Sequence, residues 1–489
     1  MRTLTARALD CANGLGAQYA DVRGVVRRIQ TIAITNGVVE TMVEEEYQGF
    51  GVRLLIDGAW GFSGSATLEL GAVDQVTAQA AEIARASARF KTAEVRLGPR
   101  VSSVGVYRTP VLVNPWEISP VAKIALLLQA DRELRHAGAA TAKANLLTWQ
   151  ENKVFANSEG ALTEQELIHT GGGVTAIAVD KESGQVQTRS YPGFFGTDVR
   201  GAGWETILEM DLPGNAQRIG EEAVALLRAD ECPSGHATVI LGPSQLAIQT
   251  HESVGHAIEL DRVFGAEGDF TGTSFLSPAM LNSFAYGSGH VNITADATAP
   301  GGVGTFGWDD EGVPAQRVPI VRDGILCGFL SSRESIEQLR QVVGDRAPAS
   351  SGGAMIADGW HNIPLVRMTN VNVDPGEWDL AELIADTDDG IWMDSCKTYS
   401  IDDRRLNFQF GVEYAREIKH GKLGRLLKNG SYAGSTPQFW ASCDGVCNRD
   451  HWRIWGISNC GKGQPGQMAH TGHGTAPARF RNVRVGIRS

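Results

Sequence analysis

The sequence lacks any long apolar stretch, which bears first on where the chain can reside. No segment approaches the roughly 18 consecutive apolar residues that a membrane-spanning helix needs. The residues after Met1 also lack the apolar stretch, roughly 7–15 residues long, of a secretory signal. We therefore expect a cytoplasmic protein that does not associate with a membrane.

Cysteine and positive charge are also in short supply. The 489 residues include seven cysteines, an odd number spread along the chain, whereas a secreted disulfide framework is denser and even in number. The 44 Lys and Arg against 56 Asp and Glu give a formal net charge of −12. Because nucleic acids are bound through clustered Lys and Arg, the composition excludes a broad nucleic-acid-binding face. The cysteine usage indicates a cytoplasmic protein with reduced thiols.

The patterns that are present predict an α+β protein. Within residues 1–230, apolar residues recur at helical spacing over 69–91, 121–136 and 216–229, between strand-like stretches. Asn36-Gly37 predicts a tight hairpin turn between two strands, and Ser119-Pro120 predicts the capped start of the helix over 121–136. Residues 231–235 (ECPSG) interrupt this pattern, and the chain beyond them is glycine-rich with many short strands. We predict a mixed α/β N-terminal domain over 1–230 and a β-rich C-terminal domain over 231–489, built as an antiparallel sheet or barrel.

One motif carries candidate chemistry, namely HESVGH at residues 251–256. Its histidines are five residues apart, which places them about 140° apart on a regular helix. A local π-bulge, where five residues make about one turn, would bring both rings to one metal ion, so we predict an irregular helix at 251–256. The alternative is a pair of hydrogen-bonded histidines beside a glutamate on the helix surface.

A catalytic zinc site needs a third protein ligand and an open position for water. Cys460 lies in the glycine-dense segment SNCGKGQPG and is the leading candidate, although an inert buried thiol is the alternative. Glu252 adjoins His251 and would lie near the metal without binding it. That placement suits a general base for an attacking water.

These motifs resemble the TldD type of the TldD/PmbA metallopeptidases. The similarity rests on HESVGHAIELDRV (251–263) and SNCGKGQPGQ (458–467), with supporting stretches at 19–40, 49–65 and 364–376. The resemblance implies that His251, His256 and Cys460 bind Zn²⁺ and that Glu252 is the general base. It also implies cleavage of small unfolded peptides, bound as extended strands in an enclosed site. The expected assembly is a homodimer or a heterodimer with a PmbA-type paralogue, which lacks the HExxxH motif.

Several weaker candidates remain. Gly352, Gly353, Gly461 and Gly463 could let a substrate backbone approach closely, or could simply form turns. The group Cys443, Cys447 and His451 lacks the compact spacing of a structural zinc site. We expect His470 and His473 in a surface loop, and the acidic runs at 309–311 and 386–389 in solvated turns. Glu259 is either a hydrogen-bond acceptor for a ligand histidine or a solvated helix residue.

Two other functions stay open at this point. The same hydrolytic site could act on an amide in a small metabolite or natural-product intermediate, because a site defines amide hydrolysis better than it defines the molecule that carries the amide. The chain could also be a non-catalytic, peptide-binding partner subunit.

Overall fold

A computed structural model describes residues 1–268 and 272–486. It confirms the predicted fold class: a mixed α/β architecture whose C-terminal region is rich in strands. The N-terminal elements are α1 (Arg2–Gly14), β1 (Tyr19–Thr35), β2 (Val38–Ile56), β3 (Ala59–Ser65), α2 (Leu70–Ala88), β4 (Val104–Arg108), α3 (Pro120–His136), β5 (Thr141–Asn157), β6 (Leu162–Val179), β7 (Val186–Tyr191), β8 (Asp198–Arg200), α4 (Glu205–Met210) and α5 (Leu212–Leu227).

The eight N-terminal strands form one sheet with the order β3-β2-β1-β5-β6-β4, and β7 and β8 both pair with β6. Strands β1 and β2 form the hairpin predicted from Asn36-Gly37, where both residues have positive φ as a tight two-residue turn requires. Helix α3 begins as its sequence predicts, because the Ser119 hydroxyl accepts a hydrogen bond from the amide of Ala122 at 3.2 Å.

The two faces of this sheet differ in chemistry. Side chains such as Val22 and Ile32 lie in two apolar clusters, one with α1 and α2 and one with α3 and α5. The opposite face carries buried charges, among them Arg27 and Lys153, that pair with residues of the C-terminal half. A strand alternates its side chains between faces, so one strand supplies both the helix-covered core and this polar interface.

The C-terminal elements are β9 (Asp230–Glu231), β10 (Gly235–Leu241), α6 (Pro243–Thr250), α7 (Leu260–Val263), β11 (Ile293–Asp296), β12 (Arg317–Arg322), β13 (Ile325–Leu326), α8 (Arg333–Val343), β14 (Met355–Ile356), β15 (Leu365–Val366), β16 (Val371–Val373), α9 (Leu380–Ala385), β17 (Asp389–Ile401), β18 (Asn407–Lys419), β19 (Lys422–Lys428), β20 (Ser431–Ser435), α10 (Thr436–Ala441), β21 (Cys443–Val446), β22 (Arg453–Lys462), β23 (Gln467–Thr475) and β24 (Ala478–Val485).

Strands β17, β10, β24, β20 and β18 close on themselves through the β17–β18 pairing and make a five-stranded barrel. Helix α6 packs against this barrel: Gln245 donates a hydrogen bond to the Tyr432 hydroxyl at 2.9 Å, and that hydroxyl donates to Gln249 at 3.0 Å. Strands β22 and β23 form a separate two-stranded hairpin that contacts α6. The barrel and the hairpin thereby hold the segment that carries the HESVGH motif.

No helix within residues 1–268 and 272–486 has the length and apolar character needed to cross a membrane. The seven cysteines are all unpaired, and four of them lie in the strands β17, β21 and β22 or in the turn that follows β21.

Candidate metal centre

The HESVGH segment is irregular, as predicted from its spacing. Helix α6 ends at Thr250, and His251–Gly255 form a π-helical turn in which the amide of His256 donates to the carbonyl of His251 at 3.2 Å. The turn brings the two imidazole rings to 4.8 Å between centroids, with their planes 87° apart. The π turn ends at Gly255, and α7 begins at Leu260.

Gly255 is required here by packing and not by an unusual φ. A Cβ atom at this position would lie 2.0 Å from the sulfur of Met368, a fully buried side chain. The absent side chain therefore lets the π turn lie directly on Met368.

Cys460 reaches the site through a β-bulge in the hairpin. Ile457 pairs with Thr471 and Cys460 pairs with Ala469, so two residues, Ser458 and Asn459, oppose the single residue between them on β23. A bulge of this kind bends the strand and redirects the side chains beyond it. The Cys460 sulfur lies 3.6 Å from Nε2 of His256.

The three candidate ligands fit a tetrahedral metal. The ligand atoms of His251, His256 and Cys460 all lie within 4.8 Å of one another, and the three side chains are buried. Ordinary zinc–nitrogen and zinc–sulfur distances predict a nitrogen–sulfur separation of about 3.6 Å in a tetrahedral site, which matches the His256–Cys460 pair. In the described part of the chain, no other group of three His, Cys, Asp or Glu residues has such geometry.

The hydrogen bonds around His251 determine which of its ring nitrogens carries the hydrogen. His473 Nδ1 lies 3.0 Å from the carbonyl oxygen of Val371, which can only accept, so Nδ1 carries the hydrogen and Nε2 is an acceptor. His251 Nδ1 lies 2.8 Å from that Nε2 and must therefore be the donor. Burial holds the pKa of His473 well below its ordinary value, so the ring stays neutral and able to accept. Nε2 of His251 is left with its lone pair for a metal.

Glu259 determines the tautomer of His256 in the same way. Its Oε2 lies 3.2 Å from His256 Nδ1, and it is fully buried beside Arg262 at 3.0 Å and Lys462 at 3.5 Å. Burial by itself would raise the pKa of Glu259, but Lys462, His256 and Arg262 hold it well below its ordinary value. The carboxylate is thus an ionised acceptor for the Nδ1 hydrogen, which is the acceptor alternative considered from sequence. His256 then offers Nε2 toward Cys460.

Electrostatics favour the metal-binding protonation states of the ligands. Burial lowers the pKa of both His251 and His256 below 6.5, so both rings are neutral at pH 7. Burial would raise the pKa of the Cys460 thiol, but His256 and Arg367 outweigh it and lower that pKa below 9.0. The Arg367 guanidinium also donates to the Cys460 carbonyl oxygen. A depressed thiol pKa is the condition under which cysteine becomes a ligand.

Glu252 adjoins His251 on the π turn and is buried. Its Oε2 accepts a hydrogen bond from Arg405 Nη1 at 3.1 Å. Arg405 belongs to the turn between β17 and β18 and has a φ of 62°, a conformation held by the Thr436 hydroxyl, which donates to the Arg405 carbonyl at 2.8 Å. No local pattern marks Arg405 as a site residue, because the turn that carries it lies about 150 residues from the motif.

Tyr399, near the end of β17, is a further neighbour. Burial raises the pKa of its phenol to about 12, and the charges of Glu252, Cys396 and Cys460 add to the effect. The side chain is nevertheless 47% exposed, so it is half-buried at the edge of the candidate centre.

The glycines proposed to contact substrate lie in two places. Gly352 and Gly353 follow α8 and pack beside Val318 and Val313, and Gly353 has a φ of 71°. Gly461 is exposed next to Cys460, and Gly463 has a φ of 86° in the turn of the β22–β23 hairpin. The positive φ values explain two of these glycines as turn residues; substrate contact remains a prediction for all four.

Two predictions about the lesser candidates are wrong. His470 and His473 do not lie in a surface loop but on β23, where His473 is fully buried. The carboxylates of Asp309, Asp310 and Glu311 are not solvated: all three are buried, and Asp310 pairs with Lys153 at 2.7 Å. Cys443, Cys447 and His451 do not converge; His451 Nε2 lies 2.9 Å from an Asp379 oxygen instead. The acidic residues at 386, 388 and 389 are exposed, as predicted.

The sequence contains a pattern that could have predicted the burial of His473. Thr471, His473 and Thr475 alternate along β23, so they share the face that meets His251. Glycine at 472 and 474 obscured this strand, yet the side chains of Asn370 and Trp452 occupy the space where their Cβ atoms would lie, at 2.0 and 1.8 Å. These glycines mark close packing within a strand.

Sequence comparison relates the chain to known metallopeptidases. Three protein-family models match the chain: PmbA/TldA metallopeptidase domain 1 over residues 20–84, the central domain over 113–229 and the C-terminal domain over 234–486. A metalloprotease of Methanothermobacter thermautotrophicus is 28% identical over 96% of this chain and 95% of its own. A metalloprotease TldD homolog of Haemophilus influenzae is 24% identical over 96% and 92%. A zinc metalloprotease TldD homolog of Saccharolobus solfataricus is 25% identical over 43% of each chain.

Solved structures share the fold at lower identity. A protein from Thermotoga maritima, described as a putative modulator of a DNA gyrase, superimposes with a TM-score of 0.77 at 16% identity, covering 99% of this chain and 100% of its own. TldE from Thermococcus kodakarensis gives 0.73 at 15% identity, with the same coverage. The three family models together match well over half of the sequence. This chain therefore belongs to the PmbA/TldD metallopeptidase family.

Proposed function

We propose that this chain is a zinc-dependent peptidase that hydrolyses amide bonds in small unfolded peptides. The observation that carries the proposal is the convergence of two histidines with free Nε2 lone pairs and one low-pKa cysteine, beside a buried glutamate. Family membership and the names of the relatives support a metallopeptidase. The substrate, the metal and the mechanism are our inference.

His251, His256 and Cys460 would hold the metal ion. Two imidazole nitrogens and one thiolate form a donor set that zinc accepts with a fourth position open. When bound there, zinc would polarise the scissile carbonyl and lower the pKa of an attacking water. The relative named a zinc metalloprotease favours zinc over the other transition metals that such donors accept.

The remaining steps fall to the protein's own groups. Glu252 would accept a proton from the attacking water at a carboxylate oxygen and deliver it to the leaving amine nitrogen. Arg405 would hold that carboxylate in place through its 3.1 Å hydrogen bond. Tyr399 stays protonated at neutral pH because its pKa is about 12, so it can donate a hydrogen bond to an oxyanion that develops on the scissile carbonyl.

Hairpin β22–β23 suits an extended substrate. Asn459 and Gly461 flank Cys460 and are exposed. A peptide that added to this strand would be held by main-chain hydrogen bonds, which tolerate many side chains and require an unfolded segment. We also propose a cytoplasmic setting and assembly as a homodimer or with a PmbA-type paralogue. Size-exclusion chromatography with light scattering, with and without that paralogue, tests the assembly.

The deciding experiment combines metal content with peptide hydrolysis. Mass spectrometry of the metal should find about one zinc per wild-type chain, and Cys460→Ala should lose it. Cys443→Ala is the matched control, because Cys443 is equally buried but lies away from the site and should keep both zinc and activity. Glu252→Gln should keep zinc and lose cleavage of an unstructured peptide. Full activity in Glu252→Gln would exclude the assigned base, and wild-type zinc in Cys460→Ala would exclude the ligand set.

A further inference from the structure

The hairpin β22–β23 separates two environments. Directly opposed residues of an antiparallel pair share a face, and successive residues alternate. Cys460 and Ala469 are opposed, and Thr471 and His473 continue that face toward His251. His470 therefore points to the other side, where its Nδ1 lies 2.6 Å from Nδ1 of His169 on β6. One face of the hairpin serves the metal centre and the other meets the N-terminal sheet.

A cavity of about 410 Å³ lies on that second face. Its floor is the N-terminal sheet, including Leu147 and Trp149, and its walls include Phe306 and Trp308 from the C-terminal half. Met468 of β23 also lines it and is 56% exposed, so the cavity reaches solvent beside the hairpin. A volume in this range holds a large side chain or a small ligand.

The lining suits an aromatic occupant that carries a polar group. Arg27 pairs with Glu151 and Asp358, both at 2.6 Å, and Lys153 pairs with Asp310 at 2.7 Å. The Asp309 carboxylate, also in the wall, accepts hydrogen bonds from backbone amides. The surface that remains open to a ligand is more apolar than polar, and its polar part includes His169.

One polar atom in this lining has no partner. Nε2 of His169 makes no hydrogen bond within the described residues, although the side chain is only 3% exposed. The ring is held by Trp149, which stacks on it at 4.5 Å between centroids, and by His470. A buried polar atom without a partner is unfavourable, so a group that hydrogen-bonds to it would be bound preferentially.

We propose that this cavity is a specificity pocket for an aromatic side chain of the substrate, with a phenol at its tip bonded to His169, because a phenol hydroxyl can donate to or accept from Nε2 in either tautomer. The inference rests on the proposed peptidase function. An extended peptide along β22 alternates its side chains between the two faces at about 3.3 Å per residue. Residues on the Cys460 side meet the metal centre, and those between them face the cavity. The pocket therefore contacts side chains at alternate positions of the peptide.

The test uses a series of unstructured peptides that share one cleavable bond. Tyrosine, phenylalanine or alanine is placed at each position on either side of that bond, and kcat/KM is measured with the zinc-loaded protein. We expect tyrosine to exceed alanine by roughly 10–100-fold at one position, or at positions two apart, because burying an aromatic ring has an effect of that size. Neighbouring positions should show little preference.

Two variants tie the preference to this cavity. Leu147→Trp fills it from the floor and should reduce the tyrosine-to-alanine ratio toward one while cleavage of the alanine peptide continues. Leu208→Trp is the matched control, because Leu208 is 58% exposed on α4, away from the cavity. Phe306→Ala enlarges the cavity and should also weaken the preference, so a folding defect in one variant leaves the other informative. His169→Phe should keep the preference for aromatic residues but remove that for tyrosine over phenylalanine.

Binding separates this proposal from the peptidase proposal. Calorimetry on the zinc-loaded protein measures the affinity of the tyrosine and alanine peptides directly. Aromatic preference in binding that Leu147→Trp abolishes, without cleavage of any peptide, would support the pocket and overturn the proposed hydrolysis. Cleavage of all peptides with equal kcat/KM, or a preference unchanged in both Leu147→Trp and Phe306→Ala, would overturn the pocket and leave the hydrolysis standing.

Discussion

Replacing His473 by leucine removes the acceptor that fixes the tautomer of His251. In the native site, His251 Nδ1 donates to His473 Nε2 at 2.8 Å, and His473 Nδ1 donates in turn to the Val371 carbonyl at 3.0 Å. Leucine has a similar volume but no acceptor, so the buried Nδ1–H of His251 loses its partner. Leaving such a donor unpaired costs about 1–3 kcal/mol.

The loss of this hydrogen bond should also weaken zinc binding. Loss of a hydrogen-bond partner behind a ligand histidine typically weakens metal binding about 10–100-fold, or about 1.4–2.7 kcal/mol. The two ranges agree, so we expect the Kd for zinc of His473→Leu to rise by that factor. The assay is competition with a chromophoric chelator at pH 7.5, with circular dichroism as a check that the variant is folded.

Two further variants sharpen the measurement. His470→Leu makes the same change on the same strand but on the opposite face, and should leave the zinc affinity unchanged. His473→Gln can restore the relay, because the glutamine oxygen accepts from His251 while its nitrogen donates to Val371. A zinc Kd for His473→Leu within twofold of wild type, or an equal loss in His470→Leu, would refute the tautomer argument.

Three more predictions follow from the same geometry. Glu259→Gln leaves Arg262 and Lys462 buried with less compensation and should lower the free energy of unfolding by about 3 kcal/mol at pH 7. The folded-state pKa of Glu259 is depressed, so its carboxylate stabilises the folded protein above the ordinary pKa of 4.5, and this stabilisation is lost as the pH falls through the lower folded value. The free energies of unfolding of the two proteins, measured in urea, should therefore converge in acid. Arg405→Ala should reduce kcat for peptide hydrolysis by up to about 100-fold at unchanged zinc content, with partial recovery in Arg405→Lys; unchanged kcat would argue against positioning of Glu252. Gly255→Ala should destabilise the protein by about 1–3 kcal/mol, and Met368→Ala in the same chain should restore part of the loss, which thermal unfolding of the double variant measures.

The sequence predicted the parts of the fold that depend on local patterns. The Asn36-Gly37 hairpin, the helix capped by Ser119 and the π turn at 251–255 all follow from residue types and spacing within a few positions. The i+5 spacing of two histidines is itself the mark of a π turn if both must face one point. These features need no knowledge of the rest of the chain.

Features that depend on distant partners were not predicted. The carboxylates at 309–311 look like a solvated turn until Lys153 and Arg53 are known to lie against them. A run of acidic residues next to one another gives no sign of cations that come from strands more than 150 residues away. Buried charge of this kind is stable only when paired, so its burial is a property of the pairing and not of the segment.

The two ligand-bearing elements share a design that explains why only one could be identified by its pattern. The helix departs from regular geometry by one extra residue per turn, and the hairpin departs from regular pairing by one extra residue opposite His470. On the helix, two ligands bracket the irregularity, so the spacing between His251 and His256 records it. On the hairpin, only one ligand, Cys460, lies beyond the irregularity. Because there is no second ligand on that strand, no spacing between ligands indicates the bulge. The helical distortion is buried and is supported by His473 behind His251 and by Glu259 with Lys462 behind His256, whereas the bulge carries the exposed Asn459. The distortion on β22 also assigns Cys460 and His470 to opposite faces, so one added residue in a strand positions both the candidate metal ligand and the wall of the cavity behind it.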